Sequence, residues 1–325
     1  MKRFLIATLS SLAVLAAPAA LRAQTYPAQP VRVVVPFAPG GATDIIARMV
    51  AARLTARLGQ SFVVDNRGGG SGIPGTQLVQ NAKPDGYTLL LSGNGPHATN
   101  AVMFQKLPYD PVKDFAQISL TGKFPLLLNV NPNVPVRNLQ EFLDWVKKNP
   151  GKVSYASPGN GSPPHLTMEL LAQTHGLNMV HVAYKGSAPA LNDLMAGHVP
   201  VMFDNVLSSM ANVQGGRVRG LAVASAQRAT GLPSVPTFKE SGVPEFDAST
   251  WTILAAPAGT PRPIVELLSS EVRKMFADPE IQQRLQQQGV VPVATAPDET
   301  QRFVADEIRK WSKVVVQAKI APLDQ

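Results

Sequence analysis

The sequence predicts an α/β protein of two lobes joined by a two-strand hinge, with a ligand cleft between the lobes. Three observations carry that expectation. From Val31 onward short β-rich runs alternate with helical periods, the pattern of a parallel sheet covered by helices on both faces. Two longer apolar segments, 116–130 and 250–259, flank a middle region. That middle region has a strand–helix alternation of its own. A chain that leaves one α/β lobe, builds a second and returns by a second crossing strand has a cleft that can close.

Residues 1–23 read as an export signal: Lys2-Arg3, an apolar stretch from Phe4 to Leu15, then small residues ending at Ala23, with the mature chain expected to begin near Gln24. That stretch is too short and too alanine-rich for a strong membrane span, and no later segment approaches ~18 uninterrupted apolar residues. The first lobe is expected over 24–123. It opens with a strand at 31–35 and a helix from Asp44, where Ile45, Ile46, Met49, Val50, Leu54 and Leu58 share a face and Gly59 is the stop. A strand over Ser61–Val64 follows. A third begins at Tyr87 behind the turn signal Pro84-Asp85-Gly86, completing a βαβαβ unit.

The second lobe is expected over 124–252. Its strands are read in the runs 152–157, 178–184, 199–204 and 217–225, with helices from His165 and around 188–196. The segment 253–325 returns to the first lobe with two helices, Pro261–Phe276 and Pro297–Lys319, each with proline near its first turn.

Composition narrows the function. The chain has 325 residues, 45% hydrophobic and 16% charged, which suits two modest globular lobes. The formal charge is +8, and loss of Lys2, Arg3 and Arg22 with the signal lowers it by three to +5. The remaining basic residues are scattered, without a basic run or interleaved aromatics, which argues against nucleic acid. With no cysteine, disulfides and thiolate chemistry are excluded.

Two loops carry the chemistry. In PFAPGGATD, 36–44, Gly40 and Gly41 allow close backbone approach, Thr43 is a candidate N-cap, and the helix that follows offers free N–H groups with partial positive charge. SPGNGSPPH, 157–165, repeats the grammar: Gly159 and Gly161 in the turn, Ser162 as N-cap, Pro163 and Pro164 in the first helical turn. Neither loop contains lysine or arginine. Alone, either is an ordinary strand-to-helix turn; as a pair, one per lobe, they suit a ligand with two carboxylates, or one carboxylate and one other polar end. Neutral donors would hold it reversibly, since charge-assisted pairs are roughly twice as strong as neutral hydrogen bonds.

These loops, together with NRGGGSGIPGTQLVQNAKPDGYTLLL, VAYKGSAPALNDLMAGHVPVMFD, GRVRGLAVASAQRATGLPSVPTFKESG and APAGTPRPIVELL, resemble the receptors of tripartite tricarboxylate transporters, the Bug family, over essentially the whole mature chain in the family's order. The resemblance implies a periplasmic-binding-protein-like fold and a carboxylate-bearing organic ligand held largely by main-chain groups and water. The corresponding loop positions are Phe37, Ala38, Pro39, Gly40, Gly41, Thr43 and Asp44, and Ser157, Gly159, Asn160, Gly161, Ser162 and His165. It further implies a monomeric receptor that delivers its acid to a membrane permease, with no cofactor.

Other residues are weighed beside these. Ser92 and Asn94 follow the third strand and either reach the ligand or cap a loop. Asp204 ends a second-lobe strand, at the edge where open α/β sheets bind ligands. Asp44, an anion beside an anion site, is read as holding its loop through backbone N–H groups; if it touches ligand, it prefers a donor. Lys185 is read as a solvated loop lysine, and Trp251 either floors the cleft or fills the hinge core. Gly70-Ser71-Gly72-Ile73-Pro74-Gly75 fits G-x-G-x-x-G, but Pro74 and the lack of a downstream acidic residue argue against a dinucleotide site. His165 and Glu169 lack a third metal ligand. The competing functions are a periplasmic sensor partner and an exported hydrolase; the latter lacks G-x-S-x-G, S-x-x-K and zinc motifs.

Overall fold

A computed structural model describes residues 26–244, 246, 248–317, 320, 322 and 323. The expected export signal, its cleavage point and the Lys319 helix end lie outside the described residues.

The first lobe is built on β1 (Val31–Val35), α1 (Ala42–Leu58), β2 (Phe62–Asn66), α2 (Ile73–Gln80), β3 (Thr88–Gly93) and the short α3 (Asn100–Met103). β1 sits between β2 and β3, parallel to both, which is why its Val-rich run is buried on both faces. α1 begins two residues before the expected Asp44. Its buried stripe runs through Ile46, Val50 and Leu54 and adds Ala47 and Ala51, whose small side chains let the helix sit close to the sheet. Gly59 ends it as expected, at φ 73°, with its N–H donated to Thr55 O.

β4 (Phe115–Val130) is the long crossing strand. Its first half pairs antiparallel with the returning strand, while Leu126–Val130 pairs with strands of the second sheet. Register shifts at Gln117/Ser119, Leu120/Lys123 and Leu128/Asn129 bend it between the two sheets. The second lobe follows as α4 (Leu139–Lys148), β5 (Val153–Ser157), α5 (Pro163–His175), β6 (Met179–Ala183), α6 (Ser187–Ala196), β7 (Val201–Asn205), α7 (Val206–Gln214) and β8 (Arg219–Ala224). The return strand is β9 (Ser249–Pro257), succeeded by α8 (Arg262–Phe276), α9 (Pro279–Gln287) and α10 (Pro297–Gln317).

The strand order is β2-β1-β3-β9-β4-β7-β5-β6, with β8 on β4. One core packs α1 and α8 against the first sheet, through Ile46, Leu54, Leu89, Leu254 and Leu268. Another, around Phe142, Tyr155, Phe203 and Phe238, fills the second. A third, with Met103, Leu166, Trp251, Val304 and Trp311, joins α10 to the junction. α9 corrects the expectation of two helices after 259: Leu285 is its buried residue, so it has almost no apolar period to read. α7 was missed because it starts directly where β7 ends, with no loop between.

Candidate functional site

Between the two sheets lies a cavity of about 60 Å³. At ~10–15 Å³ per water-sized group it holds about four to six such groups. The first lobe contributes Phe37, Ala38, Gly41 to Asp44, Ser71, Gly93 to Gly95 and Asn100 to its wall. The second contributes Pro158 to Asn160, Ser162 to Pro164, Ser187 and Asn205, and the crossing strands add Phe124 and Thr250 to Thr252. Among the described residues no lysine or arginine lines it, and Asp44 is the one ionisable side chain that does.

Among the described residues, four helices of nine residues or more start at this wall. α1 begins behind Gly41, α5 behind Ser162, α6 behind Gly186 and α7 behind Asn205, and in none does a side chain cap the first turn. Away from the cavity, α4 and α9 are capped, by Asn138 accepting from Glu141 N and Asp278 accepting from Glu280 N, while α8 behind Pro261 is not. The uncapped first turns leave N–H groups for a ligand or water, and each helix end carries roughly half a positive charge. Asn94 adds a side-chain donor. Its Oδ1 accepts from Trp251 N at 2.7 Å, which fixes the amide, and its buried Nδ2 has no partner among the described residues.

The first loop is held from behind. Asp44 is buried and accepts from Gly40 N (2.9 Å), Arg48 Nε (3.0 Å) and Asn66 Nδ2 (3.0 Å). Burial raises its pKa, but these donors, Arg48 first, outweigh that and hold the carboxyl below the usual range. It therefore remains an anion occupied with its own loop. Asn66 Nδ2 also donates to Phe37 O at 3.1 Å.

The second loop is held by imidazoles. Gly161 N donates to His165 Nδ1 at 3.1 Å, so that nitrogen carries no proton. His165 stacks on His181 with centroids 4.0 Å apart, and Tyr155 stacks on both. His181 Nε2 lies 2.7 Å from Ser157 Oγ, which also donates to Gly159 O. Burial lowers the pKa of His165 to about 4 and that of His181 to about 3, the latter helped by His165 beside it.

The lobes meet across the cleft. Ala38 N donates to Lys185 O at 3.1 Å, and Ser71 Oγ donates to Asn160 O at 2.9 Å.

Of the residues singled out from the sequence, the structure brings Phe37, Ala38, Gly41, Thr43, Asp44, Asn94, Gly159, Asn160 and Ser162 to one wall. It leaves the others off it. Pro39 and Gly40 are exposed at the loop tip. Ser92 is wholly buried and turned to His97 Nδ1 at 2.6 Å, so Gly93 and Asn94 face the cavity in its place. Ser157, Gly161 and His165 support the second loop from within. Asp204 is wholly buried behind Ser187, accepting from the hydroxyls of Ser187 (2.5 Å), Ser208 (2.6 Å) and Ser209 (3.3 Å); burial pushes its pKa up.

Thr43 is not the N-cap; that position is Gly41, and Thr43 lies in the first turn. Ser162 is the N-cap of α5, but its hydroxyl donates to Gly159 O rather than accepting from the helix. Lys185 is exposed and off the wall. Trp251 serves both roles considered for it, lining the cavity and donating its Nε1 to Glu307 inside the junction core. Glu169 accepts from the Tyr155 hydroxyl, and among the described residues no three His, Asp or Glu side chains are grouped to hold a metal. Gly70–Gly72 form a short 3₁₀ turn ahead of α2, with Ser71 on the cavity wall. Ser71 and Asn100 were not singled out from the sequence; Ser187, which opens α6 behind β6, and Asn205, which ends β7, lie at the strand-end edge where the sequence places ligand contacts.

Residues 46–320 match the family described as the tripartite tricarboxylate transporter family receptor. The chain belongs to this family. Its relatives include the protein BugT of Bordetella pertussis, 39% identical over 302 residues that cover 93% of this chain and 92% of that protein. A protein from the tcbD–tcbE intergenic region of Pseudomonas sp. strain P51 is 38% identical over 302 residues, 93% of this chain and 90% of its own. Among solved structures, R. palustris Rpa4515 with adipate superimposes with a TM-score of 0.89 at 38% identity, covering 92% of this chain and 100% of that one. MatC from Rhodopseudomonas palustris, with bound malate, gives 0.84 at 33% identity, covering 89% of this chain and 100% of that one. The α/β architecture read from the sequence is thus that of the solute-binding receptors of this family. Among the described residues no helix is long and apolar enough to cross a membrane.

Proposed function

We propose that this chain is a periplasmic receptor that captures a small organic acid by its carboxylate and delivers it to the membrane permease of a tripartite tricarboxylate-type transporter. The observation that carries the reading is the convergence of four uncapped helix starts and the unpaired Asn94 amide on one cavity without a basic side chain. Such a site stabilises an anion by fixed partial charges and main-chain donors. The carboxylates named with Rpa4515 and MatC support it.

The role is binding rather than catalysis. The wall hydroxyls of Ser71, Ser162 and Ser187 bond to Asn160 O, Gly159 O and Asp204, so none has the imidazole base a nucleophile needs. The lobes 24–123 with 253–325, and 124–252, open to admit the acid and close over it as a monomer, after the export signal has been removed at Ala23.

The test is a thermal-shift and calorimetric screen of mono-, di- and tricarboxylates against their amides, with small-angle scattering on the best binder. A carboxylate should raise the melting temperature, its amide should not, and the radius of gyration should fall on binding. A panel without any binder, or amides that bind as well as acids, would overturn the reading.

A further inference from the structure

Asn100 opens α3 on the cavity wall and is wholly buried. Its orientation is fixed, because Nδ2 donates to Ser71 O at 3.0 Å and to the Tyr109 hydroxyl at 3.3 Å. Reversing the amide would set its oxygen against the Ser71 carbonyl. Oδ1 is therefore an acceptor, and it has no hydrogen-bond partner among the described residues.

Two glycines, one from each lobe, lie close to that oxygen. A Cβ placed on Gly95 would lie 4.0 Å from it, and one placed on Gly161, across the cleft, 3.9 Å. Gly95 of the first lobe and Gly161 of the second thus approach Asn100 with no side chain to offer it. A buried acceptor left unmatched is costly, and a ligand that brings a donor removes that cost.

We propose that the receptor selects a hydroxy-substituted carboxylate: the ligand hydroxyl donates to Asn100 Oδ1 while the carboxylate is held at the helix starts and Asn94. This rests on the carboxylate-receptor reading above. A hydroxyl fits better than an ammonium. An ammonium would be stripped of water beside a neutral carbonyl, and Asp44, the one carboxylate on the wall, is already engaged by Gly40, Arg48 and Asn66. Asn100 is then a specificity-determining residue.

The experiment titrates the whole mature protein, stripped of bound ligand, with three matched sets: propionate, lactate and alanine; succinate, malate and aspartate; glutarate, 2-hydroxyglutarate and glutamate. In the set whose length fits, the hydroxy acid should bind at least tenfold tighter than the unsubstituted acid, and the amino acid should bind weakest. In Asn100→Ala the hydroxy acid should lose about tenfold while the unsubstituted acid changes less than about threefold, so the ratio collapses. A merely structural role would weaken both members alike and leave the ratio intact. Equal binding of hydroxy and unsubstituted acids by the unaltered protein overturns this inference and leaves the receptor reading standing. Failure of every acid to bind overturns both.

Discussion

Loop 36–44 and loop 157–165 each turn a strand into a helix through glycine and present main-chain N–H groups to the same cavity, yet different chemistry holds them. Behind the first stands a fixed charge, Asp44, tied to Gly40, Arg48 and Asn66. Behind the second stand neutral rings, His165 and His181, stacked on Tyr155 and bonded to Gly161 and Ser157. The first support places a negative charge beside an anion site, and neutralises its effect by engaging it fully. The second adds no charge near the ligand but depends on an unprotonated nitrogen. Main-chain anion recognition can therefore be braced in two ways, and the two should fail under different stresses.

The sharpest contrast should come from valine at the two turn glycines. Gly161 has φ 71°, where a β-branched residue is strained, and its Cβ would crowd Met103 at 3.2 Å. Gly161→Val should lose ligand binding and on the order of 1–3 kcal/mol of stability. Gly41 has φ −82°, open to any residue, and a Cβ there meets Ser187 of the other lobe at 3.3 Å. Gly41→Val should keep its stability within about 0.5 kcal/mol yet bind at least tenfold more weakly, because the cleft cannot shut. Urea denaturation beside calorimetric titration reads both. Equal stability losses would mean the two glycines do the same job.

The difference between the loops also explains what the sequence could tell. Strand, glycine and helix start are local, so both loops and both crossing strands were legible. So was the loop-holding role of Asp44, read from its place in the first turn of a helix beside free backbone N–H groups. The imidazole brace was not: His181 reaches Ser157 because β6 pairs with β5 in a register that sets Tyr155 opposite His181. Ser92 and Asp204 were misplaced for a related reason, since successive residues at a strand end face opposite ways and the sequence does not say which faces the cleft. Asn100 and Ser71 reach the wall through two separate irregular turns, 95–99 and 70–72, that no period announces.

A smaller effect should separate the supports by acid. Burial holds His165 near 4 and His181 near 3, against an ordinary value of 6.5. Between 6.5 and those values the unfolded chain takes up protons that the folded one refuses, so stability is full above 6.5 and falls as pH drops through that window. For His165 alone the loss at pH 4.5 should be on the order of 2 kcal/mol. Asp44, lowered from 3.8, contributes stability that is present above that pH and lost only below it. The second loop should thus weaken before the first. His165→Asn keeps an acceptor for Gly161 N but does not titrate, so its melting temperature should fall less between pH 7 and 4.5 than that of the unaltered protein, with His97 and His181 sustaining the remainder. Parallel curves would show that His165 does not carry the acid response.

The smallest effect expected is that of salt, and it bears on both loops at once. If main-chain donors and helix ends inside a closed cavity hold the acid, ions in solution have little access to the interaction. A site relying on exposed lysines behaves differently, since the screening length falls from ~10 Å at 0.1 M to ~3 Å at 1 M salt. Lys185 is the basic residue best placed to act in that way, because its carbonyl accepts from Ala38 N at the rim while its side chain is exposed. Kd should change less than about threefold over that salt range, under ~0.7 kcal/mol, and Lys185→Ala should change it no more. A tenfold weakening with salt, matched by a tenfold weakening in Lys185→Ala, would show that the lysine bends to the carboxylate when ligand is present. Neither loop would then suffice without a cation, and the contrast between their supports would matter less than the residue that sits between them.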